Sequence, residues 1–241
     1  MPFSYNAVWD DTVRMFRAHA PLITAIAGVF IFLPNLLLGY FGVDPQPQGR
    51  DLQALYQAYE SFWRENWYWM FLDLIASCTG TLAILILVFD RQRPTVAVAI
   101  TGAATLLPYY LAASLLSSFL LLVGFFALFV PFLYLLGRLA PLAPVMVVEG
   151  RRNPIDALKR CFEVTKGYGW TILLLLTIVA VSASLLIIVL RAVAGLLLIL
   201  ILGEDLAAFL VLILTTGMQA LLSIVLVLLA ASIYRQVTAR T

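Results

Sequence analysis

The sequence predicts an all-α polytopic membrane bundle: six transmembrane helices in three hairpins, each hairpin preceded by a cytoplasmic interfacial helix. Three observations carry this reading. Hydrophobic residues make up 63% of the 241-residue chain and charged residues 12%, against roughly 45–50% and about 25% in soluble domains. Apolar runs of about 20 residues, the length that crosses a bilayer, recur along the chain. Basic residues fall mainly in alternate connections between those runs, as orientation signals do.

Residues 4–18 place Tyr5, Val8, Trp9, Thr12, Val13 and Phe16 at spacings of three and four, opposite Asn6, Asp10, Asp11, Arg14 and Arg17. That periodicity predicts an amphipathic interfacial helix with Ser4 as its N-cap. The stretch has no short apolar core behind a basic start, so it does not resemble a cleavable signal, and insertion is expected to use the first span. That span is residues 20–42, where Pro34 should free a backbone carbonyl one turn earlier. After the turn-rich 44–49, residues 43–65 predict a surface helix carrying Leu52, Leu55, Tyr56, Tyr59, Phe62 and Trp63. Trp63, Trp67, Tyr68 and Trp69 suit a headgroup boundary.

The second span, residues 66–89, contains Asp73 and the small polar run 77–81, and the basic turn 90–94 ends it. Residues 108–148 leave room for two spans, near 106–123 and 125–148, with Gly124 as the hinge between them. Residues 170–190 are the fifth span. Residues 191–205 read as a boundary loop with a short interfacial or re-entrant piece, and 206–234 as a long sixth span. With the N-terminus in the cytoplasm, eleven Lys and Arg residues fall on that side, three on the other, and Arg138 stays inside. The asymmetry favours six spans with both termini cytoplasmic in a bacterial inner membrane. The chain reads as a single transmembrane domain, residues 1–241, built from three pseudo-repeats at about 4–89, 93–148 and 153–234, with interfacial segments at 4–18, 93–107 and 153–166.

The third interfacial segment has the clearest start, with Asn153 as N-cap and Pro154 at the first helical position. Ile155, Leu158, Phe162 and Thr165 form its apolar face, and Asp156 with Arg160 and Lys159 with Glu163 are four-residue ion pairs. The run 147–173, through Glu149, Pro154, Ala157, Leu158, Arg160, Thr165, Gly167 and Trp170, resembles a segment of bacterial membrane proteins of the YciC-like and glycerophosphodiester phosphodiesterase membrane-domain families. In those proteins the phosphodiesterase chemistry belongs to a separate soluble domain that this chain lacks. The resemblance therefore implies a membrane module without hydrolase activity.

Ionisable groups within spans mark candidate sites, because an unpaired charge at mid-depth costs a few kcal/mol even on lenient insertion scales. Counted along a straight fourth span, Arg138 lies roughly 16–20 Å from either end, and Asp73 roughly 10 Å deep in the second. The count makes them candidates for an ion pair, either an interhelical clasp or an anion or proton site. Pro141 and Pro144, just after Arg138, predict a broken helix, which is either a repaired kink or a ligand site. Asn35, Thr215 and Gln219 complete the intramembrane polar set, Thr215 and Gln219 sharing a helix face. Such groups serve either helix packing or a polar cavity.

Arg151, Arg152, Lys159 and Arg160 form a basic group suited to anionic headgroups, each worth about 1 kcal/mol near a charged surface. Cys78 and Cys161, without CxxC spacing, are expected to be free thiols, and neither they nor the single His19 propose a metal site. A net charge of +2 points to no nucleic-acid partner. No hydrolase, nucleotide-binding or metalloprotease motif is present, so no cofactor is expected and the chain reads as a non-enzyme. The sequence leads to a lipid-handling or membrane-scaffolding module, with membrane lipids, a membrane-protein partner or a second copy as partners. A small transporter or channel with a polar cavity around Asp73 and Arg138 is the alternative.

Overall fold

A computed structural model describes residues 3–43, 51–90, 95–127 and 129–239. Among these residues the chain is helical throughout. Six segments are long and apolar enough to cross a membrane: Tyr5–Phe41, Leu52–Phe89, Val96–Phe126, Phe129–Glu149, Gly169–Leu202 and Glu204–Thr238. The first is α1 (Tyr5–Ala27), a π-helical turn (Gly28–Phe32) and α2 (Leu33–Phe41); α3 (Leu52–Phe89) and α4 (Val96–Ala127) follow. The fourth pass is two helices, α5 (Phe129–Leu139) and α6 (Leu142–Glu149), and a short α7 (Pro154–Val164) leads into α8 (Gly169–Leu202) and α9 (Glu204–Thr238).

Each pass packs on the next, and α1 returns to α9, so the six passes close into a ring. Helix α6 sits inside it, against α3, α4 and α9, with Leu142, Ala143, Pro144, Val145 and Met146 all buried. Apolar residues of α1, α3, α4 and α9 form one part of the core, and those of α6, α7, α8 and α9 the other. The ends of the chain meet: Ser232 Oγ donates to the Val8 carbonyl at 2.9 Å, Gln236 Nε2 to that of Ser4 at 3.2 Å, and Arg235 pairs with Asp11 at 3.2 Å. An even number of passes is required to bring both ends to one face, as the charge asymmetry anticipates.

Local signals hold where they rest on backbone chemistry. Ser4 Oγ accepts from Ala7 N at 3.3 Å, and Asn153 Oδ1 accepts from Ile155 N at 3.0 Å ahead of Pro154. Pro34 cannot donate to the turn before it; there the helix widens to the π-turn, and Asn35 Nδ2 donates to the Ile31 carbonyl at 3.0 Å. Asn66, 1% exposed, pins the end of α2 by accepting from Val43 N at 3.0 Å and donating to Val43 O at 2.9 Å.

Boundaries differ where the sequence offers polarity without a breaker. Residues 4–18 are the first half of α1, residues 95–107 the first third of α4, and the predicted surface helix of 43–65 runs without interruption into α3 from Leu52. Residues 191–205 are not a loop: α8 continues to Leu202, and the turn is confined to Gly203 at φ 81°, the left-handed region that glycine tolerates best. A single Arg191 in an otherwise apolar run does not stop a helix. Gly124 is not the hinge, since α4 continues past it to Ala127; a Cβ there would stand 2.9 Å from Leu135 Cδ1, so Gly124 admits the close approach of α5. The turn read at 44–49 and the basic turn at 91–94, with Arg91 and Arg93, lie outside the described residues, as do Arg50 and Arg240.

Candidate functional site

Helices α2, α8 and α9 enclose a crevice of about 570 Å3 at the end of the bundle away from the termini. Asn35, Gly39 and Tyr40 line it from α2, Arg191 from α8, and Asp205, Phe209, Thr215, Thr216 and Gln219 from α9. Three residues of the predicted intramembrane set, Asn35, Thr215 and Gln219, thus come together. A fourth, Asp73, sits behind them: Asn35 Nδ2 donates to Asp73 Oδ1 at 2.7 Å, and Ser77 Oγ to the same oxygen at 3.3 Å. The hydroxyls of Thr215 and Thr216 are satisfied by carbonyls of their own helix, those of Val211 and Leu212 at 2.8 and 2.7 Å. Arg191 and Gln219 are exposed, and among the described residues their side chains have no protein partner.

Sequence reasoning missed Arg191 and Asp205 because it placed both in a connection. The signal that finds them is the continuity of the apolar run on either side of Arg191, which makes the arginine part of a span and, by default, a functional candidate. The mouth is aromatic: Tyr40 meets Phe209 edge-on at 5.5 Å, and Phe41 stacks on Trp69 at 5.7 Å. Rings of this kind favour a headgroup boundary. Asn35 lies six residues before Phe41, so the polar floor is about 9 Å below that belt.

Arg138, the fifth member of the set, is elsewhere, and the predicted ion pair with Asp73 does not form. Arg138 packs on Gly169, where a Cβ would stand 2.9 Å from Arg138 Cδ. Gly169 and the crevice residue Arg191 are 22 residues apart on the same helix, about 33 Å at the α-helical rise. The predicted depth failed because it assumed one straight helix from 125 to 148. The helix breaks at Ala140 and Pro141, and its halves pack on different neighbours, α5 mainly on α4 and α8, α6 mainly on α3, α7 and α9.

What holds Arg138 is α7. Its Nε donates to Thr165 Oγ1 at 2.9 Å, one terminal nitrogen to Tyr134 Oη at 2.8 Å, and the other to the Phe162 carbonyl. Its guanidinium lies over the Tyr134 and Phe162 rings at 5.4 and 5.1 Å. Thr165 is fully buried and donates in turn to the Cys161 carbonyl.

Glu149 makes the second anchor. It accepts from Arg151 at 2.7 Å, Arg160 at 2.9 Å and the Tyr234 hydroxyl at 3.1 Å. Arg160 also reaches Glu163 at 3.2 Å, and its bonds to Glu149 and Glu163 hold the guanidinium protonated above its ordinary range. The predicted Asp156–Arg160 and Lys159–Glu163 pairs are not among the ion pairs of the described residues. Two of the four residues expected to contact anionic lipid, Arg151 and Arg160, are therefore committed to Glu149. Arg152 lies 6.0 Å over the Tyr109 ring, and Lys159 has no ion pair among the described residues.

The residues singled out between Glu149 and Trp170 all act in this junction. Pro154 starts α7, Ala157 and Leu158 bury it, and Gly167 supplies the left-handed turn at φ 84° that Lys166 leads into. Trp170 packs on Tyr134 at 5.7 Å. Cys161 is enclosed among them, and burial, then the nearby Glu149 charge, push its thiol up to about 12. Both cysteines are free, and no cluster of three metal-ligating residues exists among the described residues. Beside the α5–α6 break lies a second cavity, of about 400 Å3, lined by Thr81, Tyr110, Ser114, Ser117 and the turn at Ala140. Compared with family models, curated proteins and solved structures, the chain matches none.

Proposed function

We propose that this chain is a non-enzymatic, lipid-handling protein of a bacterial inner membrane, with both termini cytoplasmic, and that the crevice between α2, α8 and α9 receives the polar part of a lipid. The observation that carries the reading is that Arg191 and Gln219, both exposed, line one crevice between apolar spans. In the hydrocarbon region such groups need a polar partner. An exposed guanidinium below the aromatic belt needs an anion, and a lipid phosphate, which it can bind bidentately, is the anion a bilayer supplies.

The alternative, a transport cavity shared by Asp73 and Arg138, would have to span the two ends of the bundle. The lipid reading needs the crevice alone. Its test is native mass spectrometry of the detergent-purified protein against Arg191→Gln. Retained phospholipid on the wild type, reduced on the variant, is the expected result. A wild type stripped of every phospholipid at detergent concentrations that leave it folded would refute the reading.

A further inference from the structure

Helix α7 lies at the end of the bundle that holds the termini: Ala157, Leu158 and Cys161 are buried there with Val8, Ile233 and Val237. Its first turn leaves a groove against α4 of about 960 Å3, which shares no lining residue with either cavity described above. Ala112, Leu115, Phe119 and Leu122 form one wall, and Pro154 and Ile155 the other. Ser118 and Asn153 supply the only polar side chains among the lining residues, and Leu115, Phe119, Leu122 and Ile155 are exposed. A groove of this composition takes a hydrocarbon chain.

The groove has a direction. Helix α4 begins beside the end of α3, where Phe89 meets Tyr234 at 6.0 Å, so the path from residue 112 to residue 122 leads away from the termini. Those ten residues make it about 15 Å long, comparable with the hydrocarbon depth of one leaflet, half of about 30 Å. A cation stands at its other end. The Arg152 guanidinium lies 6.0 Å over the ring of Tyr109, one turn before Ala112. Tyr109, Ala112, Leu116 and Phe119 recur at spacings of three and four, so cation and groove share one face of α4.

Arg152 is exposed and joins no ion pair among the described residues, unlike Arg151, which Glu149 holds at 2.7 Å. Beside it, Asn153 Oδ1 is taken by Ile155 N at 3.0 Å, which leaves the amide N–H groups of Asn153 available to an acceptor. Residues 149–166 hold five cations and three carboxylates, and two of those carboxylates, Glu149 and Glu163, are engaged by arginines. The mouth of the groove is therefore net positive and complements an anionic headgroup.

From this juxtaposition we infer that the groove between α4 and α7 binds an anionic phospholipid of the leaflet on the termini's side, an acyl chain along residues 112–122 and the phosphate on Arg152 and Asn153. The site lies at the opposite end of the bundle from the crevice, and each reading can fail without the other. It also divides the basic group: Arg152 meets lipid, whereas Arg151 and Arg160 meet Glu149.

The test uses the full chain in nanodiscs holding equal amounts of phosphatidylglycerol and phosphatidylethanolamine, with retained lipid read by native mass spectrometry after transfer to detergent. The wild type should retain phosphatidylglycerol in preference, and Arg191→Gln, which removes the crevice cation, should keep that preference. In the Arg191→Gln background, Arg152→Gln should lower retained phosphatidylglycerol about tenfold, the size of a lost charge-assisted hydrogen bond. Ala112→Trp, which fills the groove and spares the cation, should lower it as well. Lys166→Gln removes an equal charge beyond the other end of α7 and should change retention far less. Arg152, Ala112 and Lys166 are all exposed, and an unchanged thermal melt verifies folding. Absence of a preference in the wild type, or its loss in Arg191→Gln, overturns the inference. So does an equal fall with Lys166→Gln, since general attraction to a charged surface would then suffice. Retention that survives Ala112→Trp overturns the acyl-chain groove. Displacement of the bound lipid by equimolar soluble glycerophosphoglycerol overturns it too, since the ligand would then be a free phosphodiester.

Discussion

Replacing Thr165 by Val isolates the bond that fixes α7 to the end of α5. Valine keeps the shape of threonine at a fully buried position, so packing is preserved and the hydroxyl alone is lost. What disappears is the 2.9 Å bond from Arg138 Nε and the hydroxyl's donation to the Cys161 carbonyl. The second loss is small, because that carbonyl still accepts the Thr165 backbone N–H at 3.1 Å. Hydrogen bonds to charged groups contribute about 1.5–3 kcal/mol in soluble proteins, whereas cycles within a membrane bundle average about 0.6 and reach about 1.7. Arg138 is a full cation, yet it is half-buried and keeps Tyr134 and the Phe162 carbonyl. The expected coupling lies where the two ranges meet, about 1.5 kcal/mol.

The assay is a double-mutant cycle of Thr165→Val and Arg138→Met, with unfolding followed by denaturant in mixed micelles. Thr165→Val should cost about 1.5 kcal/mol in the wild type and close to nothing once Arg138 is Met. A coupling below about 0.5 kcal/mol, the error expected of independent sites, would show that the hydroxyl does not hold the arginine.

Three further outcomes are expected. Gly137→Ala would set a Cβ 2.1 Å from the Gly169 carbonyl; backbone must move, so α5 and α8 should separate at a cost of about 1–3 kcal/mol or more, read as a lowered unfolding midpoint. Glu149→Gln should destabilise by about 2 kcal/mol, between the values for exposed and fully buried pairs, because the carboxylate and its two arginines are 18%, 37% and 28% exposed. It should also release Arg151 and Arg160 to bind anionic vesicles more tightly in a co-sedimentation assay. Cys161, with its thiol at about 12, should resist maleimide at pH 8 until the protein unfolds. A thiol raised above its unfolded value of about 8.5 gives stability that is complete below that value and lost as pH climbs toward the folded one. Stability should thus decline above about pH 9, and Cys161→Ala should remove part of that slope.

The spans, the shared end of the termini and the caps at Ser4 and Asn153 were legible because composition, charge placement and capping chemistry act locally. The gathering of Asn35, Thr215 and Gln219 was legible only as a list of polar residues; their common crevice depends on how α2 leans on α9. Arg138 was misplaced because depth counted in residues holds for one straight helix, and two residues at Ala140 and Pro141 undo the count. Arg191 was misjudged for the opposite reason: a charge looked like a boundary where the backbone saw no obstacle. The basic group at 151–160 illustrates a third difficulty. Whether an arginine meets lipid or protein depends on a carboxylate such as Glu149, whose position no linear pattern reveals.

The π-turn at Gly28–Phe32 gives the first pass a property beyond the repair of Pro34. One residue more per turn shifts the angular phase of everything that follows, since each residue of an α-helix advances about 100° around the axis. The two halves of that pass are therefore aimed independently: α1 presents Ile23 and Ile26 to the core, while α2 presents Asn35 to Asp73 and the crevice. The widened turn works as a vernier between a packing half and a polar half. Removing a single residue from it would return the helix to regular pitch, leave α1 where it is, and swing Asn35 about a quarter turn off its carboxylate.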